Sequence, residues 1–193
     1  MIIESETDVY ICVDVETTGP IPGDYSMLSI GACTIYEPQQ TFYIELKPIN
    51  QNTIAYAASI HKLSLERLLA EGLDSTDALT RFEEWLIKVA APNQRPLFVA
   101  FNAAFDWMFV NHYFHHYLGH NPFGHAAIDI KAFYMGMTGV PWSQTSWRYI
   151  IPKYKTEHHL THHALQDALD QADLFKQMLE ELNKKKKIQG DTE

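Results

Sequence analysis

The sequence predicts an α/β fold in which a mixed central sheet of about five strands is flanked by helices. Three strand-type segments come first, at residues 9–14, 27–36 and 41–46, and helical patterns then alternate with two shorter strand-type segments. A length of 193 residues is typical of one domain. We therefore predict a single domain over residues 1–183 and a basic, flexible tail over residues 184–193.

The first part of the chain supplies the strands of an antiparallel meander. Residues 9–14 form an apolar run rich in β-branched side chains, which indicates a buried strand. Two glycines and two prolines within residues 19–24 predict a loop. The strands at residues 27–36 and 41–46 are joined by a short turn that contains proline, and residues 47–63 look irregular.

Helices dominate the rest of the chain. Residues 64–70 predict a short helix that ends near Gly72, and Asp74 or Ser75 caps a longer helix that runs to Ala90. A periodic apolar stripe predicts a long final helix that starts near His163. The other predicted elements are strands at residues 97–100 and 126–128 and helices at residues 105–117, 131–137 and 142–151.

The most informative residues are two carboxylates at the end of the first strand. Asp14 and Glu16 stand two apart in the segment Asp14-Val-Glu16-Thr-Thr-Gly. Alternation along a strand puts both side chains on the same side, at a strand end where α/β sites collect. Two like charges in one space are unfavourable without a cation. Taken alone, the pair also fits a solvated strand end.

Two more acids follow on later elements. Asp106 begins a helix directly after the strand at residues 97–100, where an acid is also favoured by the helix dipole. Asp167 lies one turn into the last helix between Ala164 and Ala168, whose small side chains leave room for metals and substrate. Three such signals in this order predict a phosphodiesterase site with four metal-binding carboxylates.

Histidines 162 and 163 compete for the role of general base. We favour His162, which stands five residues before Asp167 and just outside the helix, free to move toward the attacking water. A positioned imidazole contributes ~10²–10⁴-fold to a rate. The remaining parts fit a two-metal reaction, in which carboxylates hold Mg²⁺ or Mn²⁺ and the two ions clamp the attacking and leaving oxygens.

At this point the chain resembles the DEDDh 3′→5′ exonucleases, which have a ribonuclease H-like fold. The resemblance covers about residues 8–182 and rests on three motifs. These are Asp14-Val-Glu16-Thr-Thr-Gly19, Asn102-Ala-Ala-Phe105-Asp106 and His162-x-Ala164-x-x-Asp167-Ala168. It implies that the chain releases 5′-mononucleotides from 3′ ends with two divalent cations, that Asp14, Glu16, Asp106 and Asp167 bind them, and that His162 and Glu16 are catalytic.

The resemblance also implies a substrate-binding group and contains two departures. Glu16, Thr17, Thr18, His61 and Phe105 are implied to lie near the terminal nucleotide, and Asn102 is assigned to the same group. Many relatives carry His-Gly-Ile where this chain has His61-Lys62-Leu63, and a histidine where it has Phe101. Neither position is a metal ligand in the family, so both departures concern substrate handling.

Charge and composition narrow the partners. A net charge of −9 argues against a broad grip on duplex nucleic acid, but it is compatible with one 3′ end entering a cleft. We expect a nucleic acid 3′ end, single-stranded, as partner and no membrane, because no apolar run approaches the ~20 residues of a spanning helix. The start of the chain has no signal-peptide pattern, and isolated Cys12 and Cys33 suit a reducing compartment, so we expect a cytoplasmic protein.

Several alternatives stay open on the sequence alone. The spacing of His112, His116 and His120, and a cluster of His158, His159, His162 and His163, suit a zinc site. A non-catalytic nucleic-acid module of the same fold is a second alternative. Phe105, Trp107, Trp142 and Trp147 could each stack on a base or pack in the core. Lys184–Lys187 could contact nucleic acid or form a solvated helix end. The sequence does not distinguish DNA from RNA as the substrate.

Overall fold

A five-stranded mixed sheet forms the centre of the molecule. The computed structural model describes residues 7–154 and 161–190. Its first three strands are antiparallel, and the last two run parallel to the first, which gives the spatial order β3-β2-β1-β4-β5. The strands are β1 (Asp8–Thr17), β2 (Met27–Thr34), β3 (Thr41–Glu45), β4 (Arg95–Ala100) and β5 (Ala127–Asp129).

Helices cover both faces of this sheet, so the predicted α/β class and the five-stranded mixed sheet are confirmed. No helix in residues 7–154 or 161–190 is long and apolar enough to cross a membrane. The helices are α1 (Ala55–His61), α2 (Leu65–Glu71), α3 (Ser75–Val89), α4 (Ala104–Leu118), α5 (Ile130–Thr138), α6 (Trp147–Tyr154) and α7 (Ala164–Gly190), with a 3₁₀ turn at Trp142–Gln144.

The alternation of β1 creates two separate cores. Ile11, Val13 and Val15 point to the face covered by α3 and α4, where they join the larger apolar cluster. Cys12 points to the opposite face and packs with α5, α6 and α7; it is buried and carries a free thiol. Because side chains alternate along a strand, residues 14 and 16 share the face of Cys12 and lie toward α7.

Three predicted elements differ from the structure. Residues 47–63 are not wholly irregular, because α1 occupies Ala55–His61. This helix has no side-chain cap, and its short apolar row packs beside β1, so tertiary contact rather than local signal stabilises it. The helix predicted at residues 142–151 is two elements, the 3₁₀ turn and α6. Helix α7 continues to Gly190, seven residues beyond its predicted end.

The predicted starts of α2 and α3 agree with the structure. Ser64 caps α2, its hydroxyl accepting a hydrogen bond from the Arg67 N–H, and Gly72 ends that helix. Asp74 occupies the N-cap position of α3, but its side chain makes no capping hydrogen bond. These short-range signals are readable because they involve residues only three or four apart.

Close contact between α7 and β2 occurs at Gly31. A Cβ added there would lie 2.1 Å from the Ala164 carbonyl carbon and 2.1 Å from the Leu165 nitrogen, both in the first turn of α7. Gly31 is also the cross-strand partner of Asp14. The absence of a side chain at Gly31 therefore allows the start of α7 to lie directly against the sheet beside Asp14.

We predict that Gly31→Ala destabilises the protein and moves the start of α7. The added methyl group meets helix backbone, which yields less easily than a side chain, and overpacking of this kind usually costs about 1–3 kcal/mol. For a domain of this size the melting temperature should fall by ~2–4 °C per kcal/mol. Thermal denaturation followed by circular dichroism measures the change.

Gly136→Ala is the matched control. Gly136 lies inside α5 with nothing within 4 Å of its added Cβ. Alanine is favoured over glycine in a helix by about 0.5–1 kcal/mol, so this variant should be as stable as wild type or more so. Equal melting temperatures for the Gly31 variant and wild type would contradict the close packing of α7 on β2.

Candidate active site

The two carboxylates of the first motif lie at the carboxyl end of β1 and on one side of it. Glu16 is buried, with 7% of its surface exposed, whereas Asp14 is half-buried. One oxygen of Asp14, Oδ1, accepts a hydrogen bond of 2.8 Å from the side-chain amide of Gln171 on α7. The register of β1 against β2 shifts between Glu16 and Thr17, where the pairing becomes irregular.

Asp106 reaches the same point from the first turn of α4. Its Oδ1 accepts a 3.1 Å hydrogen bond from the backbone N–H of Val15, which lies between Asp14 and Glu16 on β1. Asp106 is 5% exposed. This bond joins residues 91 positions apart and fixes the start of α4 to the end of the central strand.

Asp167 organises the turn that precedes α7. Its Oδ1 accepts hydrogen bonds from the N–H (2.8 Å) and the hydroxyl (3.0 Å) of Thr161, and its Oδ2 accepts from the N–H of His162 at 3.0 Å. Asp167 is buried. The side chain thus holds the backbone that carries His162 while it faces the carboxylates of β1.

His162 adopts a left-handed backbone conformation, with φ of 56°. Such a conformation is uncommon for a residue with a side chain, and the bond from its N–H to Asp167 stabilises it here. A ring nitrogen of His162 and carboxylate oxygens of Glu16 and Asp167 all lie within 4.8 Å of one another. His163 points elsewhere, its ring stacked on Tyr43 at 4.6 Å between centroids.

Burial raises the pKa of Asp14, Glu16 and Asp106, and neighbouring carboxylates add to the shift. The pKa of Glu16 rises to about 8, through burial first and then the charges of Asp167 and Asp106. Burial raises the pKa of Asp106 to about 7, although the Val15 N–H opposes the shift. The pKa of Asp14 is raised by burial and by the three other carboxylates, and the Gln171 bond lowers it.

A single open cleft of about 220 Å³ contains all five residues of the predicted catalytic and metal-binding set. No lysine or arginine lines it among the described residues, so no fixed side-chain cation balances the acids. Carboxylates with open oxygens are suitable ligands for Mg²⁺ or Mn²⁺, and the arrangement can accommodate such ions. The lining residues are Asp14, Val15, Glu16, Phe101, Asn102, Phe105, Asp106, Trp147, His162, Asp167 and Gln171.

Gln171 and Asp129 are two positioning residues that the sequence analysis missed. Gln171 is 2% exposed, and its Oε1 accepts a 2.8 Å bond from the Phe101 N–H while its amide nitrogen donates to Asp14. Asp129 accepts from the Ala103 N–H at 2.6 Å and from the Ala132 N–H at 2.7 Å. Gln171 lies four residues after Asp167, on the same helix face, and that spacing is a readable signal.

The predicted substrate-binding residues are divided among several places. Asn102 and Phe105 line the cleft, and Phe105 together with Thr17 also lines an adjoining apolar pocket of about 250 Å³. Thr18 lines neither, since its fully buried hydroxyl accepts a bond of 2.9 Å from the Ser26 N–H. His61 ends α1, and its side chain lies outside the described residues.

Aromatic residues near the cleft also differ in their surroundings. Phe101 stacks on Trp147 with ring centroids 4.4 Å apart, and both line the cleft. Trp107 packs edge-on against Phe98 within the larger core, so core packing accounts for it. Trp142 is 51% exposed.

Within residues 7–154 and 161–190, the histidines of the zinc alternative do not gather with one another into a metal site. His120 pairs with Glu83 at 2.5 Å, and the ring of His112 stacks on that of His116 at 5.6 Å. The metal-type group found in those ranges is Glu16, His162 and Asp167. His158 and His159 lie outside the described residues.

A mixed five-stranded sheet with carboxylates converging beside its central strand defines the ribonuclease H-like class of nucleases. A family model described as an exonuclease matches residues 11–175. The chain is 47% identical over 186 residues to the 3′-5′ DNA exonuclease Cap18 of Escherichia coli, covering 96% of this chain and 99% of that protein. The chain belongs to this exonuclease family and is a 3′–5′ exonuclease.

Solved structures support the fold at low sequence identity. The nuclease domain of 3′hExo, a DEDDh family member bound to rAMP, superposes with a TM-score of 0.75 at 18% identity, over 92% of this chain and 94% of that one. Exonuclease I of E. coli in complex with a dA16 oligonucleotide gives a TM-score of 0.71 at 14% identity. That match covers 91% of this chain and 42% of the larger protein.

We predict that Glu16→Gln stabilises the metal-free protein at pH 8 and has little effect at pH 5. A carboxyl whose pKa is raised in the folded state binds more protons there than in the unfolded chain, so it lowers stability as pH rises from about 4.5 to about 8. Glutamine removes this penalty, and one pKa unit equals about 1.4 kcal/mol. Urea denaturation in EDTA at both pH values should reveal a gain on the order of 1–3 kcal/mol at pH 8 only.

Glu84→Gln supplies the control because Glu84 is an exposed acid on α3. This variant removes the same formal charge without relieving repulsion between buried carboxylates. The stability of the variant should therefore equal that of wild type at both pH values. If the two variants behaved alike, repulsion at Glu16 would not be the cause of the pH dependence.

Proposed function

We propose that the chain removes 5′-mononucleotides from the 3′ end of single-stranded DNA in a reaction that requires two divalent cations and uses His162 as general base. The observation that carries this proposal is the convergence of Asp14, Glu16, Asp106, Asp167 and His162 on one cleft. Three of the four acids are buried, and no described lysine or arginine lies among them. Such a site is chemically incomplete without cations.

Asp14, Glu16, Asp106 and Asp167 would hold these ions. Mg²⁺ and Mn²⁺ favour carboxylate oxygens as ligands. Burial and neighbouring negative charges raise the pKa of three of the acids, and a bound cation would offset both effects. Bound ions would neutralise developing negative charge on the phosphate and align the attacking and leaving oxygens.

The protein itself would handle the proton. His162 lies within 4.8 Å of Glu16 and Asp167, at the open cleft rather than in the core, so its ring can accept a proton from the attacking water. Glu16 borders the same space and would orient that water. Asp167 fixes the backbone of His162, which limits where the ring can lie.

The apolar pocket beside the cleft is suitable for the 3′-terminal nucleoside of the substrate. Its walls are mainly apolar and include Phe105 together with Ile54 and Ile60 from the region of α1, and Glu16 also lines the cleft. A terminal nucleoside in this pocket would place its phosphate beside the carboxylates. Similarity over nearly the whole length to a protein named a DNA exonuclease favours DNA as the substrate. A cytoplasmic location stays a prediction.

We predict that the purified protein with Mg²⁺ or Mn²⁺ shortens 5′-labelled single-stranded DNA from its 3′ end and releases 5′-mononucleotides. Asp167→Ala should lower the rate at least 10²-fold, since it removes an ion ligand and also releases the turn that carries His162. Gel electrophoresis of the labelled strand measures the shortening and its rate, and chromatography identifies the released nucleotides. The same strand made of RNA tests the preference for DNA.

Asp173→Ala is the matched control, because Asp173 is an exposed acid on the same helix. It should retain the wild-type rate. Cleavage of a circular single strand, or a rate that survives an excess of EDTA, would contradict the proposal. Faster degradation of RNA than of DNA would identify RNA as the preferred substrate and would leave the proposed reaction mechanism unchanged.

We predict that His162→Ala lowers the single-turnover rate ~10²-fold or more, as expected for a lost general base, with little change in Mn²⁺ affinity. His163→Ala should cost much less, because that ring stacks on Tyr43 and does not line the cleft. The two adjacent imidazoles therefore control for each other. A larger loss at His163 than at His162 would overturn the assignment.

A further inference from the structure

An exposed tryptophan stands on a well-anchored turn near the catalytic cleft. Trp142 retains 51% of its surface exposed. Its carbonyl accepts a 2.8 Å bond from the Thr145 hydroxyl and a 3.1 Å bond from the Thr145 N–H, and Thr145 is fully buried. The ring is thus held outward by a turn that is tied into the protein.

Lys131 connects this ring to the wall of the cleft. Its ammonium lies 4.3 Å from the centre of the Trp142 ring and donates a 3.3 Å hydrogen bond to Oδ1 of Asn102. Asn102 lines the catalytic cleft and is held in a left-handed conformation, with φ of 66°. No ion pair to a carboxylate engages Lys131 within the described residues.

This pair of groups has the chemistry of a nucleotide-binding subsite. An ammonium without a carboxylate partner attracts phosphate, and an exposed indole offers a face on which any base can stack. The other charged side chains of the neighbourhood are mainly acidic, since four carboxylates lie in the cleft and the whole chain carries −9. Lys131 adds positive charge beside Asn102, a residue that lines this acidic cleft.

The position of the subsite relative to the apolar pocket suggests which nucleotide it takes. The apolar pocket shares Glu16 and Phe105 with the cleft, whereas Asn102 and Trp147 line the cleft alone. If the terminal nucleoside enters the apolar pocket, the strand that remains attached to it leaves past Asn102 and reaches Lys131 and Trp142. Bases of a duplex are paired and stacked on each other, so they are not available to the indole.

We propose that Trp142 and Lys131 form a subsite that binds an unpaired nucleotide upstream of the scissile phosphate, and that this subsite favours single strands over duplexes. The proposal rests on the proposed exonuclease function. It adds a specificity-determining contact outside the carboxylate site and assigns a role to an exposed tryptophan.

The test compares the gain in kcat/KM when the substrate is lengthened. The p-nitrophenyl ester of thymidine 5′-monophosphate contains no upstream nucleotide, and single-stranded oligo(dT) of two to eight nucleotides adds them one by one. Trp142→Ala should reduce kcat/KM for the longer strands roughly 5- to 150-fold, the range for loss of one stacked base, and leave the ester unchanged. Lys131→Gln should also reduce kcat/KM for the longer strands, and the reduction should be largest at low salt.

Conservative and distant variants separate a binding role from a structural one. Trp142→Phe and Lys131→Arg should retain most of the gain with length. Ile87→Ala removes an exposed apolar side chain on α3, 69% exposed and away from the cleft, and should match wild type. Equal loss on the ester and on the strands, or no loss on either, would overturn the subsite.

Equilibrium binding keeps the subsite testable apart from catalysis. Fluorescence anisotropy of labelled oligo(dT)₈, with Ca²⁺ in place of Mg²⁺, should give a Kd at least fivefold weaker for Trp142→Ala than for wild type. If wild type hydrolysed neither substrate, the proposed function would fail and this comparison would still decide the subsite. Identical Kd values, or equal binding of a blunt duplex, would reject it.

Discussion

The contact between the first turn of α7 and β2 at Gly31 is the constraint on which the active site depends. A side chain at this position would overlap helix backbone, so only glycine permits the approach. Because Gly31 is paired with Asp14 across the sheet, the helix arrives beside the carboxylates of β1. Asp167, His162 and Gln171 then reach Asp14 and Glu16, although about 150 residues separate the two segments.

This packing also places carboxylates close enough together to repel one another. Four carboxylates share one cleft, and burial with mutual repulsion raises the pKa of several of them. Asp106 and Asp167 lie in the first turns of α4 and α7, where the helix dipole partly offsets the repulsion. Hydrogen bonds from Val15, Gln171 and the turn before α7 occupy some of the oxygens. The remaining deficit of positive charge is what a divalent cation would supply.

The two walls of the cleft have different chemistry. On one side, Phe105 and the residues of the α1 region form an apolar pocket with no described lysine or arginine in its lining. On the other side, Phe101 and Trp147 are stacked, and Lys131 joins Asn102 to an exposed tryptophan. Phe101 and Trp147 make this wall aromatic and apolar. A polar wall would hold a substrate by directed hydrogen bonds, whereas stacked rings accept any base.

The sequence by itself determined the fold class and the three motifs, and it predicts His162 rather than His163 as the general base. These depend on short-range patterns: alternation puts Asp14 and Glu16 on one side, Ser64 and Gly72 delimit α2, and spacing separates His162 from His163. Only the tertiary structure decided the close approach at Gly31, the Gln171 bridge, the helix at Ala55–His61 and the different surroundings of Trp107, Trp142 and Trp147. Each of these is a contact between segments distant in the chain, and composition or periodicity contains no information about the partner that a side chain meets.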